Sequence, residues 1–197
     1  MLKGYVLVFQ MEIKKKLYVV DRKQWRSWLS KNYNKEKEIW LVYYRKASGE
    51  KRIPYNDAVE EALCYGWIDS TMKKIDEESF AQRFTPRRPN SMLSQMNKER
   101  IHQMIEQGKM TSAGLDAVKH AFDKSLKNSK LVIKPDILKC LKSDKKIWNN
   151  FQKFSERYKR IRIEWIESCR TRPEMFEKRL KYFLKMTAQN KKYGMVQ

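Results

Sequence analysis

The chain is short of the residues that most often announce chemistry. Of its 197 residues only 2 are His, 3 are Cys, 5 are Pro and 6 are Gly. The cysteines, Cys64, Cys140 and Cys169, are odd in number, widely spaced and form no CxxC pair. That excludes a disulfide framework and reads as small buried hydrophobes in a reducing compartment. Neither His102 nor His120 stands at ligand spacing from a cysteine, so no metal is expected. No GxGxxG, P-loop or GxSxG occurs, and the cysteines lack a local activation signature, so no cofactor is expected either. No apolar run approaches the ~20 residues needed to cross a bilayer. The N-terminal run Tyr5 to Phe9 is too short for a signal peptide and has no small-residue cleavage site. The expectation is a cytoplasmic protein without a transmembrane segment.

What the chain does have is positive charge. Lys and Arg number 44 against 23 Asp and Glu, a net charge of +21 with an isoelectric point near 9.9. Such a field favours polyanions and anionic ligands, or else is a lysine-rich solvated surface. The segment from Pro135 to Gln197 holds about half of the net charge. Hydrophobic residues at 41% and aromatics at 12% are enough for a packed core, so global disorder is excluded.

Periodicity organises the rest. Leu17 to Val20 is a short strand-like run, and Asp21 is suited to cap a helix to about Leu29, with a loop from Lys31 to Glu38. Ile39 to Tyr44, β-branched and aromatic on both faces, predicts a central strand. Pro54 and Asn56 open a helix through Tyr65, and Gly66 stands where a positive φ would end it. Ile68 to Ile75 and Ser79 to Pro86 predict two strands joined by the acidic turn Asp76-Glu77-Glu78. From Ser91 onward the pattern is helical: one helix to Gly108, another from Thr111 or Ser112 with Leu115, Val118 and Phe122 inward. After a polar connector, 123–134, helices carry Trp148, Phe151 and Phe154, then Tyr158, Ile161, Trp165 and Cys169. Thr171 to Glu174 has the form of a capping box opening the last helix. The fold class is therefore α+β, mostly helical: a small antiparallel sheet of about three strands packed by helices, with a C-terminal helical module. The expected domains are an extension at 1–16, an α+β core at 17–130 and a basic helical module at 135–197.

The stretch from Gly66 to Asn97 concentrates the candidate site. Asp69 is a carboxylate beside an indole and near an arginine cluster, a general base or ligand anchor, or a structural partner of Arg83 or Arg87. Arg83, Arg87 and Arg88 offer guanidinium forks for a carboxylate or phosphate, or for salt bridges. Strand alternation puts Arg83 and Thr85 on one face, opposite Phe84. Asn97 falls among Leu93, Ile101 and Met104, and a buried amide there needs partners, in the protein or in a ligand. The candidate ligand-binding set is Asp69, Arg83, Thr85, Arg87, Arg88 and Asn97, with no catalytic residue among them. An enzymatic reading rests on Asp69 near arginines alone.

The segments EEALCYGWIDS at Glu60 to Ser70 and QRFTPRRPNS at Gln82 to Ser91 resemble the YdeI/OmpD-associated, or bacteriocin-protection, family. Asn97-Lys98-Glu99-Arg100 and GKMTSAGL at Gly108 to Leu115 agree with it. IEWIESCRTRPE at Ile163 to Glu174, with the ending NKKYGM, is similar to the family's C-terminal helical module. The resemblance runs from about Leu17 to Met195. It departs at Leu93, where the family carries tryptophan, and at Ser112, where it carries proline. The resemblance implies a YdeI-like core and an OmpD-associated tail, with a link to stress responses and to resistance against bacteriocins and antimicrobial peptides. It implies no reaction, cofactor or catalytic set. Because like charges repel, a basic chain is poorly suited to trap a cationic peptide directly, and the expected role is an indirect, intracellular one. Two classes stand: a non-enzymatic resistance protein binding an unknown anionic ligand or protein partner near the two motifs, and a nucleic-acid-binding protein using the basic C-terminal helices.

Overall fold

The computed structural model describes residues 13–121 and 131–195. The expectations for residues 1–12, for Phe122 and for most of the connector after it lie outside these. The elements are β1 (Lys16–Tyr18), α1 (Arg22–Asn32), β2 (Ile39–Tyr44), α2 (Tyr55–Cys64), β3 (Trp67–Lys74), β4 (Ser79–Pro86), α3 (Gln95–Glu106), α4 (Ser112–Val118), α5 (Pro135–Lys142), α6 (Lys145–Lys153), α7 (Glu156–Glu167) and α8 (Pro173–Ala188). They fall into two compact units. One is the chain up to Pro89 with Met110–Ala117; the other is Asn90–Lys109 with the residues from Val118 onward.

The first unit is built on a sheet of order β1-β2-β4-β3. The class is α+β and mostly helical, as expected, but the sheet has four strands and is mixed, where about three antiparallel strands were expected. The additional strand is β1, which runs parallel to β2 with Leu17 opposite Leu41. It reaches β2 through α1, a short β-α-β crossover. Asp21 caps α1 by accepting from the Gln24 N–H at 2.9 Å. The helix outlasts its predicted end near Leu29, because Tyr33 N–H still donates to Leu29 O at 2.8 Å.

The pleat gives this sheet two different faces. Ile39 pairs with Phe84, Leu41 with Gln82 and Tyr43 with Phe80 across β2 and β4. That face is covered by helices: the Trp25 ring meets Phe84 at 5.4 Å between centroids, and Trp28 meets Trp67 at 5.7 Å. Trp25 Nε1–H donates to Ala58 O at 3.0 Å, tying α1 to α2. The β3–β4 ladder shifts register between Asp69 and Met72. Gln82, buried there, donates to Ser70 O at 3.1 Å, supplying a partner for a carbonyl that the irregularity frees.

The end of α2 is the tightest place in the unit. Gly66 takes φ +75°, as its position predicted. Thr111 donates to Cys64 O through its N–H at 3.1 Å and its hydroxyl at 2.6 Å, and its Oγ1 accepts from Gly114 N–H at 3.2 Å. Thr111 thus closes one helix and opens the next. A Cβ on Gly114 would stand 2.2 Å from Cys64 O. Because α4 turns Gly114 to α2, Leu115 points away and is 43% exposed, contrary to its predicted inward place.

In the second unit, Ile137, Leu141, Phe151, Phe154, Tyr158, Ile161, Ile163, Ile166 and Phe183 form the core, with Trp148 and Trp165 packed against it. The aromatics of the tail are therefore core residues first. Asp144 and Ser155 cap α6 and α7. The capping box at Thr171 does not form: the N-cap is Arg172, with no side-chain cap bond, and Pro173 supplies the first turn of α8. Helix α3 is tied to α7 by Arg160, whose Nη2 donates to Glu99 Oε2 at 3.0 Å while its Nε donates to Oε1. Burial raises the Glu99 carboxyl, but hydrogen bonds from Arg160 and Gln95 outweigh it, and the net position is below the ordinary value.

Two outcomes test these readings. Gly114→Ala forces backbone apart on both sides and should cost about 3 kcal/mol, the upper part of the overpacking range, read by urea unfolding. Glu99→Gln should cost about 1–3 kcal/mol at neutral pH, discounted because Arg160 is part-exposed. A carboxyl depressed in the folded state stabilises above its unfolded pKa, and that stability is lost as pH falls through the folded value. The difference between wild type and Glu99→Gln should therefore vanish on acidification, followed by unfolding at successive pH values below 5.

Candidate functional site

Register decides which candidate residues meet. Asp69 pairs with Phe84, and Ile68 with Thr85. Asp69 accordingly lies on the helix-covered face with Phe84, while Arg83 and Thr85 lie on the opposite face. The sheet itself stands between Asp69 and the Arg83–Thr85 pair.

On the covered face, the Tyr55 hydroxyl at the start of α2 donates to Asp69 Oδ2. Tyr43 is beside them, 2% exposed, with a hydroxyl that has no hydrogen-bond partner. Burial pushes its phenol well above the ordinary range, Tyr55 and Asp69 push the same way, and Arg52 opposes them. Arg52 Nη1 donates to Tyr44 O at 2.9 Å, which holds it at the end of β2. The result is a tyrosine–carboxylate cluster under α2, able to hold a proton or a hydrogen-bonding group but lacking an activated nucleophile. Burial pushes the nearby Cys64 thiol up to about 11, so it is not a thiolate at neutral pH.

On the other face, Arg83 is held by Glu38. Its Nε donates to Oε2 at 2.9 Å, and Nη2 reaches the same oxygen. The hydrogen bonds from Arg83 hold the Glu38 carboxyl below its ordinary value. Thr85 is half-buried beside Arg83 on that face. Beyond the strand, Arg87 N–H donates to Gly66 O at 2.9 Å, and burial pulls its guanidinium down. Arg88 is exposed. Asn97 belongs to the second unit, part-buried on α3, where its Oδ1 accepts from Arg100 Nη1 at 2.9 Å. The partner its buried amide required is thus a buried arginine.

Sequence reasoning missed two ionic groups. Glu61 is 2% exposed and accepts from Arg22 Nε at 2.9 Å and Arg26 Nη1 at 2.7 Å. Its place within the apolar stripe Ala58, Val59, Ala62 and Leu63 was the available signal. Arg162, buried on α7 among Tyr158, Trp165 and Tyr193, stands inside an apolar run, Ile161 to Ile163, that marks it in the same way. Among the described residues no group of three or more His, Cys, Asp or Glu could hold a metal ion, and no helix is long and apolar enough to cross a membrane.

A four-stranded mixed sheet layered with helices, followed by a compact basic helical module, defines a two-part α+β protein, and comparison with known families gives each part its relatives. Residues 17–117, just over half of the chain, match the family described as a domain of unknown function (DUF8412), and the chain belongs to that family. Residues 130–190 match the family described as bacteriocin-protection, YdeI or OmpD-associated, in agreement with the resemblance read from the tail motif at Ile163 to Glu174, while the motifs at Glu60 to Ser91 fall within the other match. No curated protein and no solved structure matches the chain.

The tyrosine cluster gives a paired prediction. Tyr43→Phe removes a hydroxyl that makes no hydrogen bond and should change stability by less than about 0.5 kcal/mol, or raise it. Asp69→Ala removes the carboxylate that accepts from the Tyr55 hydroxyl and should cost about 1–2 kcal/mol. Both are read from denaturant midpoints at unchanged slope.

Proposed function

We propose that the protein is a cytoplasmic bacteriocin-protection or stress-resistance protein that acts by binding an anionic ligand or partner where β4 ends. The observation that carries this reading is the sharing of one sheet face by Arg83 and Thr85, with Arg88 exposed just beyond the strand. Arg83 is already balanced by Glu38, so Arg88 supplies the uncompensated charge, with Arg87 next to it and Thr85 as a hydroxyl donor. Asp69, on the other face, and Asn97, engaged by Arg100, are secondary to that seat. The three free thiols, two of them buried, support a reducing compartment. A working division into an extension at 1–16, a core at 17–130 and a module at 135–197 goes with this reading.

A nucleic-acid reading is favoured by a different observation. Lys139, Lys145, Lys146, Lys153, Lys178 and Lys181 are exposed and have no ion-pair partner among the described residues. Phosphate contacts by such lysines would be sequence-independent and steeply salt-dependent.

One titration separates the two. For the anion seat, inorganic phosphate and citrate should perturb the protein by fluorescence or calorimetry, and the Arg87→Ala/Arg88→Ala double variant should lose at least tenfold in affinity. A single-stranded oligonucleotide should then bind weakly at about 50 mM salt and not at about 200 mM. Equal small-anion binding by the double variant and wild type would sink the seat. Tight oligonucleotide binding lost in Lys178→Gln/Lys181→Gln would transfer the function to the helical module.

A further inference from the structure

Arg162 is 5% exposed, and aromatic rings box its guanidinium. The Tyr193 ring centroid lies 4.3 Å from Cζ, Tyr158 5.3 Å and Trp165 5.9 Å. Neither Nε nor Nη2 has a hydrogen-bond partner. These two nitrogens form one edge of the fork that engages a carboxylate bidentately. The Tyr193 hydroxyl, also buried, has no partner either. The unused polar atoms gathered here are two guanidinium donors and a phenol that can donate or accept, and no acidic side chain pairs with Arg162 among the described residues. The ring faces offset part of the cost of burying this charge, but two empty N–H donors leave a desolvation cost that only an acceptor would recover. The neighbouring arginines differ: Arg157 donates to Gln103, Arg160 to Glu99, Arg170 to Asp136 and Arg179 to Ser168.

A strap covers the empty edge. After α8 the chain takes a positive φ of 52° at Asn190, an uncommon angle for a residue with a side chain, and +72° at Gly194. A Cβ on Gly194 would stand 2.7 Å from Arg162 Nη2, so the glycine backbone lies directly on the fork. The strap is held by ring edges, Tyr193 against Tyr182 at 4.8 Å and against Trp165 at 5.9 Å, and by Tyr193 N–H donating to Tyr158 Oη at 3.3 Å. Lys191, Lys192, Gly194 and Met195 are exposed. Lys191 N–H also donates to Met186 O at 3.0 Å; the strap is thus held by single backbone bonds and by Tyr193 packing on the core, with no ion pair among the described residues.

We propose that the Arg162 box is a receptor for a small carboxylate, closed in this structure by the Tyr193–Gly194 strap. Moving the strap outward exposes Nε and Nη2 to the two carboxylate oxygens. The Tyr158 and Trp165 faces then flank the body of the ligand, which favours a flat apolar group on the carboxylate. Lys191 and Lys192 add positive potential at the mouth. The proposal uses no residue of the β4 anion seat and stands or falls independently of it.

The full chain tests it, with benzoate as probe. Thermal unfolding and tryptophan fluorescence are followed as benzoate is raised at constant ionic strength against chloride. The expected results are a rise of a few degrees in midpoint at saturating benzoate, at least a tenfold loss of affinity in Arg162→Met, and a severalfold gain in Gly194→Ala, whose methyl prises the strap from the fork. Absence of any benzoate effect on the wild-type protein overturns the receptor. Equal affinity in Arg162→Met overturns it as well. So does a loss in Lys191→Gln/Lys192→Gln as large as that in Arg162→Met, because it assigns binding to surface lysines. Protection by inorganic phosphate without protection by benzoate overturns the carboxylate assignment. If Arg162→Met does not fold, Gly194→Ala decides: an unchanged affinity there overturns the closed strap.

Discussion

The carbonyl of Cys64 is the fixed point of the first unit. As the last residue of α2 it leaves an acceptor that the helix cannot satisfy, and Thr111 supplies both a backbone and a hydroxyl donor. That bond requires Gly114 at the first approach and Gly66 at the turn, since a Cβ at either meets backbone. Once Gly66 is set, β3 starts at Trp67 and its pairing with β4 follows. The register in turn puts Asp69 beneath Tyr55 and sends Arg83 and Thr85 to the other side. A carbonyl that touches none of the candidate ligand side chains thereby bears on which of them are neighbours.

Charge is handled by residue type. Most arginines in the second unit are buried or part-buried and meet an acid, an amide or hydroxyl oxygen, a carbonyl or a ring, with Arg172 exposed, whereas lysines on α5, α6 and α8 stay at the surface. The planar, weakly hydrated guanidinium tolerates such burial more readily than the strongly hydrated ammonium; Lys159 is the buried exception, donating to Gln152 O at 3.1 Å and Glu156 Oε1 at 2.8 Å. The net charge of +21 is therefore mostly a lysine property of the exterior, and arginine content is mostly architecture.

Local signals made much of the fold legible. Asp21 is a capping residue whose side-chain oxygen meets the N–H three positions on, so it reads correctly from sequence, whereas the helix expected from Ser91 starts at Gln95 with Ser94 as its cap. Gly66 and Gly108 needed only a positive φ. What failed was non-local. The run at Leu17 is too short to show by itself that it pairs in parallel with β2. Leu115 fits an apolar stripe, but the close approach of Gly114 to Cys64 rotates it outward. Alternation correctly separated Arg83 and Thr85 from Phe84, yet the face of Asp69 depends on a hairpin register, and a slip of one residue would invert it. Arg162 carried one local mark, its place between Ile161 and Ile163, but in a chain of 44 Lys and Arg that mark does not tell a buried guanidinium from a solvated one.

The chain passes from the first unit to the second at Asn90, returns at Met110, and leaves again at Val118. Helix α3 is therefore made long before its partner: Glu99 and Arg160 are 61 positions apart. At about 5–20 residues per second, a translating ribosome takes about 3–12 s to add that length. During that interval α3 carries Glu99, Ile101 and Met104, all buried in the finished protein, without the helix that will pair with Glu99. Newly made chains thus pass through a stage in which a short amphipathic segment stands without the rest of its module.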